Sequence, residues 1–209
     1  MFEKNNSCYF CQEIEDPVRN NLNRNRVVLE TKNFIAMPTV GCFKIGYLLI
    51  LPKAHYLCFG EFDSVLLDEL NALIEKITQF VYTKYHQKCI VFEHGTRDLS
   101  QLTSTSVMHA HIHVIPFEAD ITSSLPDFCE LKKISGFQDL KHEKNNYLFL
   151  REANGNNFIV KNQNYPSQFF RRIACKAMGI DDYWDWREYP FIENMGITLD
   201  YYYRELRRG

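Results

Sequence analysis

The sequence has no stretch approaching the roughly 20 consecutive apolar residues that a membrane-spanning helix requires. Met1–Ser7 is polar and lacks the apolar core of a secretion signal. These absences predict an intracellular chain, cytoplasmic or nuclear, with no membrane partner. Neither sign of charge is in excess: 24 Lys and Arg against 26 Asp and Glu give a formal net charge of -2. That argues against the global basic field on which nonspecific nucleic-acid binding usually depends, and leaves room only for a local basic patch. Repeat periods and low-complexity tracts are missing too. Seven cysteines are an odd number in a chain of 209 residues without an export signal, so reduced thiols are expected rather than a disulfide framework.

What is present is ordinary globular composition, 45% hydrophobic and 24% charged, with enough length to enclose a core. Val27–Glu30 and Phe34–Met37 read as an antiparallel hairpin around Thr31-Lys32-Asn33. Gly46–Leu51 (GYLLIL) reads as a central strand whose ladder stops at Pro52. Val65, Leu66, Leu70, Leu73, Ile74, Ile77 and Val81 recur at three-and-four spacing, which predicts a helix capped at Asp63 or Ser64 and running to about Tyr85. Cys89–Phe92 is a further short strand. Residues 118–145 read as irregular. Tyr147–Arg151 and Phe158–Lys161 form a second strand pair around Asn154-Gly155-Asn156. Ser167–Met178 reads as a helix stopped by Gly179, and a last helix starts near Ile197. Together these predict an α+β fold, an antiparallel sheet covered by one long helix.

Two features carry chemistry. Cys8-Tyr-Phe-Cys11 is a CxxC pair, a spacing that suits two thiolates on one zinc, a redox dithiol, or two unrelated core cysteines. His55 and His109 are the candidates to complete a closed, structural Cys2His2 site with no open position for substrate. The second feature is Val107–Phe117, VMHAHIHVIPF. It reads as a half-buried strand with His109, His111 and His113 on one face and Ala110, Ile112 and Val114 on the other. A neutral imidazole held in one tautomer is a good covalent catalyst at phosphorus, which makes His111 the candidate nucleophile. Its Nδ1–H is expected to donate to a backbone carbonyl, leaving Nε2 free. Ser106 and His113 are candidate phosphate positioners, Ser106 through its hydroxyl and the neighbouring backbone N–H groups.

The segment SVMHAHIHVIP resembles the signature of the histidine-triad (HIT) superfamily of nucleotide hydrolases and transferases. The resemblance spans roughly Cys8 to Pro116 and takes in CYFC, the hairpin, GYLLILPKAHY, the long helix and the triad. It implies zinc held by Cys8, Cys11, His55 and His109, with His111 as nucleophile. A histidine rather than glutamine at His113 implies hydrolysis through a nucleotidyl-histidine intermediate. The chain departs from the common pattern at Thr105, where hydrolases often carry Gln, and at Met37-Pro38-Thr39, where their hairpin often ends in a ribose-binding aspartate. FEHG (Phe92–Gly95) looks closer to an atypical, long-tailed branch. The segments YPSQFFRRIACKAMG and WDWRE resemble tails of that branch and, more faintly, of RNA-processing triad-related proteins.

The resemblance therefore implies a HIT-like catalytic domain over 1–120 and a C-terminal α/β extension over 121–209, packed on it or continuous with it. Arg171 and Arg172 are candidate phosphate-binding residues, because a guanidinium fork matches two phosphate oxygens; the alternative is a solvated basic corner of an amphipathic helix. Trp184 and Trp186 read as core or interface anchors, with base stacking as the alternative. The implied activity is hydrolysis at the α-phosphorus of a small-molecule nucleotide, a nucleoside polyphosphate or phosphoramidate. A phosphorylase or nucleotidyltransferase with the same intermediate is one alternative, and an RNA-processing or adaptor protein using the fold for binding is the other. Compact members commonly form two-fold homodimers, so the resemblance allows a homodimer here; residues after 120 either fill that role within one chain or cover the dimer surface.

Overall fold

The computed structural model describes residues 5–18, 24–98, 108–118, 120–161 and 165–206. In chain order it contains α1 (Tyr9–Glu15), β1 (Leu29–Glu30), β2 (Phe34–Pro38), β3 (Leu48–Pro52), α2 (Ser64–Tyr85), β4 (Cys89–Gly95), β5 (Ile112–Pro116), β6 (Glu130–Ile134), β7 (Tyr147–Arg151), β8 (Asn157–Lys161), α3 (Phe169–Ala177) and α4 (Ile192–Leu206). The eight strands form one antiparallel sheet in the order β1-β2-β3-β5-β4-β7-β8-β6. This is the α+β architecture that the sequence predicts, an antiparallel sheet with α2 against it and helices at the C-terminal end.

Alternation along each strand divides the side chains between two apolar layers. Phe34, Ala36, Leu48, Ile50, Val91, Ile112, Val114 and Phe149 meet the stripe of α2 formed by Leu67, Leu70, Leu73, Ile74, Ile77 and Val81. The opposite layer gathers Ile35, Met37, Leu49, Phe92, Ile115 and Leu150 with Phe10 and Cys11 of α1 and with Phe169, Phe170, Ile173 and Ala174 of α3. His113 lies in register with Leu49 on one side and Phe92 on the other, so it belongs to this second layer. The sheet does not stop at residue 120. Strand β7 pairs directly with β4 from Val91↔Arg151 to Gly95↔Tyr147, so Tyr147–Arg151 continue the sheet that carries His113.

Helix α2 starts as the sequence predicts. The Asp63 carboxylate accepts from Leu66 N–H at 2.9 Å, satisfying one of the donors that a helix start leaves open. Asp63→Ala is expected to cost about 1 kcal/mol and to lower Tm by roughly 2–4 °C, read by thermal denaturation; an unchanged Tm would mean that water replaces the cap at no cost.

Three boundaries differ from the sequence reading. Among the described residues of the histidine segment, strand pairing begins at Ile112 and leaves His109 and His111 before it, because Ala110 N–H is taken by Tyr56 O at 2.7 Å and His109 turns toward Pro52; Val107, where the strand reading starts, lies outside the described residues. The stretch read as irregular contains β6, an edge strand whose sequence ELKKI is mostly charged. Helix α4 starts at Ile192, five residues earlier than expected.

Candidate functional site

The CxxC pair wraps the first turn of α1, with Cys8 at the N-cap and Cys11 three residues on, so both sulfurs come to one side of the helix. That side faces the histidine segment. Cys8 Sγ lies 3.5 Å and Cys11 Sγ 3.6 Å from His109 Nδ1, and Cys11 Sγ lies 3.4 Å from His55 Nδ1. The ligand atoms of all four residues fall within 4.8 Å of one another, a cluster capable of holding a metal ion. His109 Nε2–H donates to Pro52 O at 2.9 Å, which leaves the Nδ1 lone pair directed at the sulfurs. Burial, reinforced by the neighbouring His55, pushes the His109 pKa down to about 4, and a neutral ring is what ligation requires.

The other two triad histidines lie beside this cluster. Phe10 of α1 packs edge-on against His109 and tilted against His111, with centroids 5.8 and 5.6 Å away. His111 Nδ1–H donates to its own segment at His109 O, 2.7 Å away, so the ring's second nitrogen, Nε2, carries the lone pair. Its ring centroid is 5.0 Å from that of His113. His113, 6% exposed, is stacked on Phe92 at 4.5 Å, and its Nδ1 lies 2.5 Å from the hydroxyl of Tyr47. Burial holds both imidazoles below the usual histidine range, and the positive charge of Arg171 pushes them further the same way.

Arg171 belongs to α3, and its guanidinium is spread over three partners. Nε donates to Trp184 O at 2.8 Å, Nη2 to Gly41 O at 2.8 Å and Nη1 to the Tyr47 hydroxyl at 3.2 Å. Gly41 has φ +74°, and a Cβ there would lie 2.5 Å from Arg171 Nη2 and 2.4 Å from Trp186 Cβ, so the close approach depends on glycine. Arg172 turns the other way, donating to Ser167 O at 2.9 Å and lying over the Trp184 ring at 3.2 Å. Of the two arginines, Arg171 therefore reaches the triad, through Tyr47. Ser106 lies outside the described residues, as does Thr105.

Two residues at this site were not singled out from the sequence for what they touch. Tyr47 sits inside the apolar run GYLLIL, which reads only as a central strand. His94, in FEHG, is one residue beyond the pair Glu93↔Ile112, which sets it across from His111, and it accepts from Phe170 N–H of α3 at 3.4 Å. Burial and the neighbouring His111 push its pKa down to about 3. The alternation of Phe92 and His94 was the signal available, once β4 was paired with the histidine strand.

No helix among the described residues is long and apolar enough to cross a membrane. Over an alignment of 205 positions the chain is 24% identical to the CWF19-like protein mug161 of Schizosaccharomyces pombe, covering 87% of this chain and 34% of that one. The chain thus spans about a third of the length of this relative. Among solved structures it is similar to a HIT-family protein from Bacillus subtilis, with 22% identity and a TM-score of 0.43 over 53% of this chain and 72% of the other. It is also similar to SMU.412c from Streptococcus mutans, with 21% identity and a TM-score of 0.46 over 61% and 80% of the two chains. Residues 2–129, the stretch that supplies both cysteines, His55 and the whole histidine segment, match the profile described as protein similar to CwfJ C-terminal, and the chain belongs to that family.

Proposed function

We propose that this chain is a nucleotide-recognition module of an RNA-processing or adaptor protein, in which the HIT-like core of residues 1–120 holds the phosphate of a nucleotide or RNA end at His111 and His113 and the extension of residues 121–209 shapes that site from behind. The observation that carries this reading is the packing of α3 against the triad: Arg171 reaches His113 through Tyr47, and Phe170 N–H reaches His94. The extension is thereby part of the site's construction. The likeness to the CWF19-like protein covers more of the chain than the 2–129 family match, and so reaches into this extension. The resemblance of the α3 segment to tails of RNA-processing triad-related proteins points the same way.

In this reading Cys8, Cys11, His55 and His109 hold a structural zinc. The chemistry of the donor set fits: a tetrahedron with Zn–S near 2.3 Å and Zn–N near 2.05 Å has S···N edges of about 3.5 Å, and the observed separations are 3.4, 3.5 and 3.6 Å. Held by these four ligands, a zinc would supply rigidity only, and Phe10 of α1 beside His111 would be fixed with it, while the phosphate is left to the chain's own residues.

A second reading, hydrolysis or transfer at the α-phosphorus with His111 as nucleophile and Ser106 and His113 as phosphate positioners, is favoured by one specific observation, the His111 Nδ1–H bond to His109 O that leaves Nε2 able to attack. Two measurements separate the readings. Fluorescence anisotropy with AMP as competitor against a 5′-phosphorylated RNA decamer is expected to show saturable binding, weakened about tenfold or more in His111→Ala. Intact-mass spectra after mixing with dinucleoside polyphosphates, nucleoside phosphoramidates and nucleotide sugars are expected to show no adduct. A nucleotidyl mass on the wild type alone would replace the binding reading with the catalytic one, and no binding with no adduct would sink both.

A further inference from the structure

Arg171 lies too deep to be a simple surface anion trap, being 3% exposed, and Tyr47 is fully buried. An arginine donates only, so the Tyr47 oxygen is the acceptor in its contact with Arg171 Nη1. The hydroxyl has one proton left to place. If His113 Nδ1 also donated to that oxygen, the proton of a buried hydroxyl would face no acceptor among the described residues, a condition that buried polar groups avoid. The consistent arrangement is a one-way chain, Arg171 Nη1–H to Tyr47 O and Tyr47 O–H to His113 Nδ1, the latter at 2.5 Å. The other guanidinium nitrogens are fixed by Gly41 O and Trp184 O, so the origin of the chain cannot drift.

We propose that Arg171 and Tyr47 are positioning residues that set the tautomer of His113, placing its proton on Nε2 so that it donates to a phosphate oxygen, while His111 beside it presents an Nε2 lone pair. The pair is complementary: His111 has its proton on Nδ1, bound to His109 O, and the two rings are 5.0 Å apart. One Nε2 donates and the other accepts or attacks, which suits a phosphomonoester or phosphodiester oxygen beside its phosphorus. The neutral state this requires is supported by burial of His113, by His111 and by the charge of Arg171 itself, all of which disfavour a second proton. The extension therefore acts on the ligand through the protonation pattern of the core rather than by touching it. The ligand side of this assignment rests on the nucleotide reading above; the tautomer side does not.

The test is a long-range 1H–15N correlation spectrum of the zinc-loaded protein with 15N-labelled histidine at pH 7.5, alongside the dissociation constant for AMP. Wild-type His113 is expected to show a protonated Nε2 and a bare Nδ1. In Tyr47→Phe the minor Nδ1–H population is expected to rise at least tenfold and AMP binding to weaken about tenfold. Arg171→Met is expected to move the tautomer similarly, since the Tyr47 oxygen becomes free to accept from Nδ1–H, and Arg171→Lys to restore most of it. A wild-type His113 protonated on Nδ1, or an unchanged tautomer in Tyr47→Phe, overturns the assignment, and both remain readable if Arg171→Met fails to fold. If the tautomers behave as stated but AMP does not bind the wild type, the nucleotide reading fails and the positioning role stands.

Discussion

Cys11→Ser is expected to reduce bound zinc to less than about a tenth of one equivalent per chain and to lower Tm by roughly 10 °C. Cys11 is the ligand with the most to lose. Its sulfur is within 3.6 Å of both histidine ligands, and its side chain is also packed in the second apolar layer with Phe10. Folding free energy from a structural zinc exists only when all the ligands are deprotonated and close, so removing one thiolate removes more than its share. The loss is expected to spread to the triad, because Phe10, one residue before Cys11, packs on His111. Metal analysis of purified protein and thermal denaturation with and without a chelator provide the check. A Cys11→Ser protein that keeps one equivalent of zinc and the wild-type Tm would show that the four residues are not a metal site.

The parts of this molecule that local pattern controls were legible before the structure. Helix α2 spans Ser64–Tyr85, where the three-and-four spacing predicts it, because 22 residues of consistent periodicity leave no competing register. The hairpin around Thr31-Lys32-Asn33 and the later pair β7 and β8 are present for the same reason, short apolar runs bounded by turn residues. Strand β6 was hidden because its role conflicts with its composition. An edge strand gains from charge, which discourages pairing with other chains, and charge is what made ELKKI look like a loop. The start of α4 was misplaced because Gly196 lies inside the helix, where glycine argues against one.

The same division runs through the site. Cys8, Cys11, His55 and His109 come together, as spacing and the resemblance led one to expect, because a CxxC turn and a histidine segment are local signatures whose joint meaning is tetrahedral chemistry. Tyr47 and Arg171 were illegible in that sense. Tyr47 is separated from His113 by 66 positions and from Arg171 by 124, and nothing in an apolar run announces which hydroxyl will be buried beside an imidazole. The sequence makes Arg171 a candidate phosphate-binding residue, and no local pattern there points to Tyr47. In the structure its guanidinium donates to the Tyr47 hydroxyl, which in turn contacts His113 Nδ1, a relationship created by α3 folding back over the sheet.

Arg26→Met is expected to cost about 3–5 kcal/mol and with it much of the zinc affinity. Arg26 and Glu13 form a buried bidentate pair, Nε to Oε1 at 2.5 Å and Nη2 to Oε2 at 2.6 Å, with Nη1 donating to Pro38 O at the end of β2. Glu13 sits two residues after Cys11 on α1, so this pair and the metal cluster are two ties on one short helix of seven residues. A helix that short has little stability of its own. Removing the guanidinium leaves the Glu13 carboxylate buried without a counter-charge and Pro38 O without its donor, a larger loss than the pair's net contribution. The double variant Glu13→Leu with Arg26→Met removes the stranded charge, and is therefore expected to recover at least half of the lost stability. Urea unfolding of the single and double variants, with zinc content measured on each, tests this. A double variant less stable than Arg26→Met alone would show that the pair acts through packing and not through charge, and equal zinc content in all three would show that α1 is held by the metal cluster without help from Arg26.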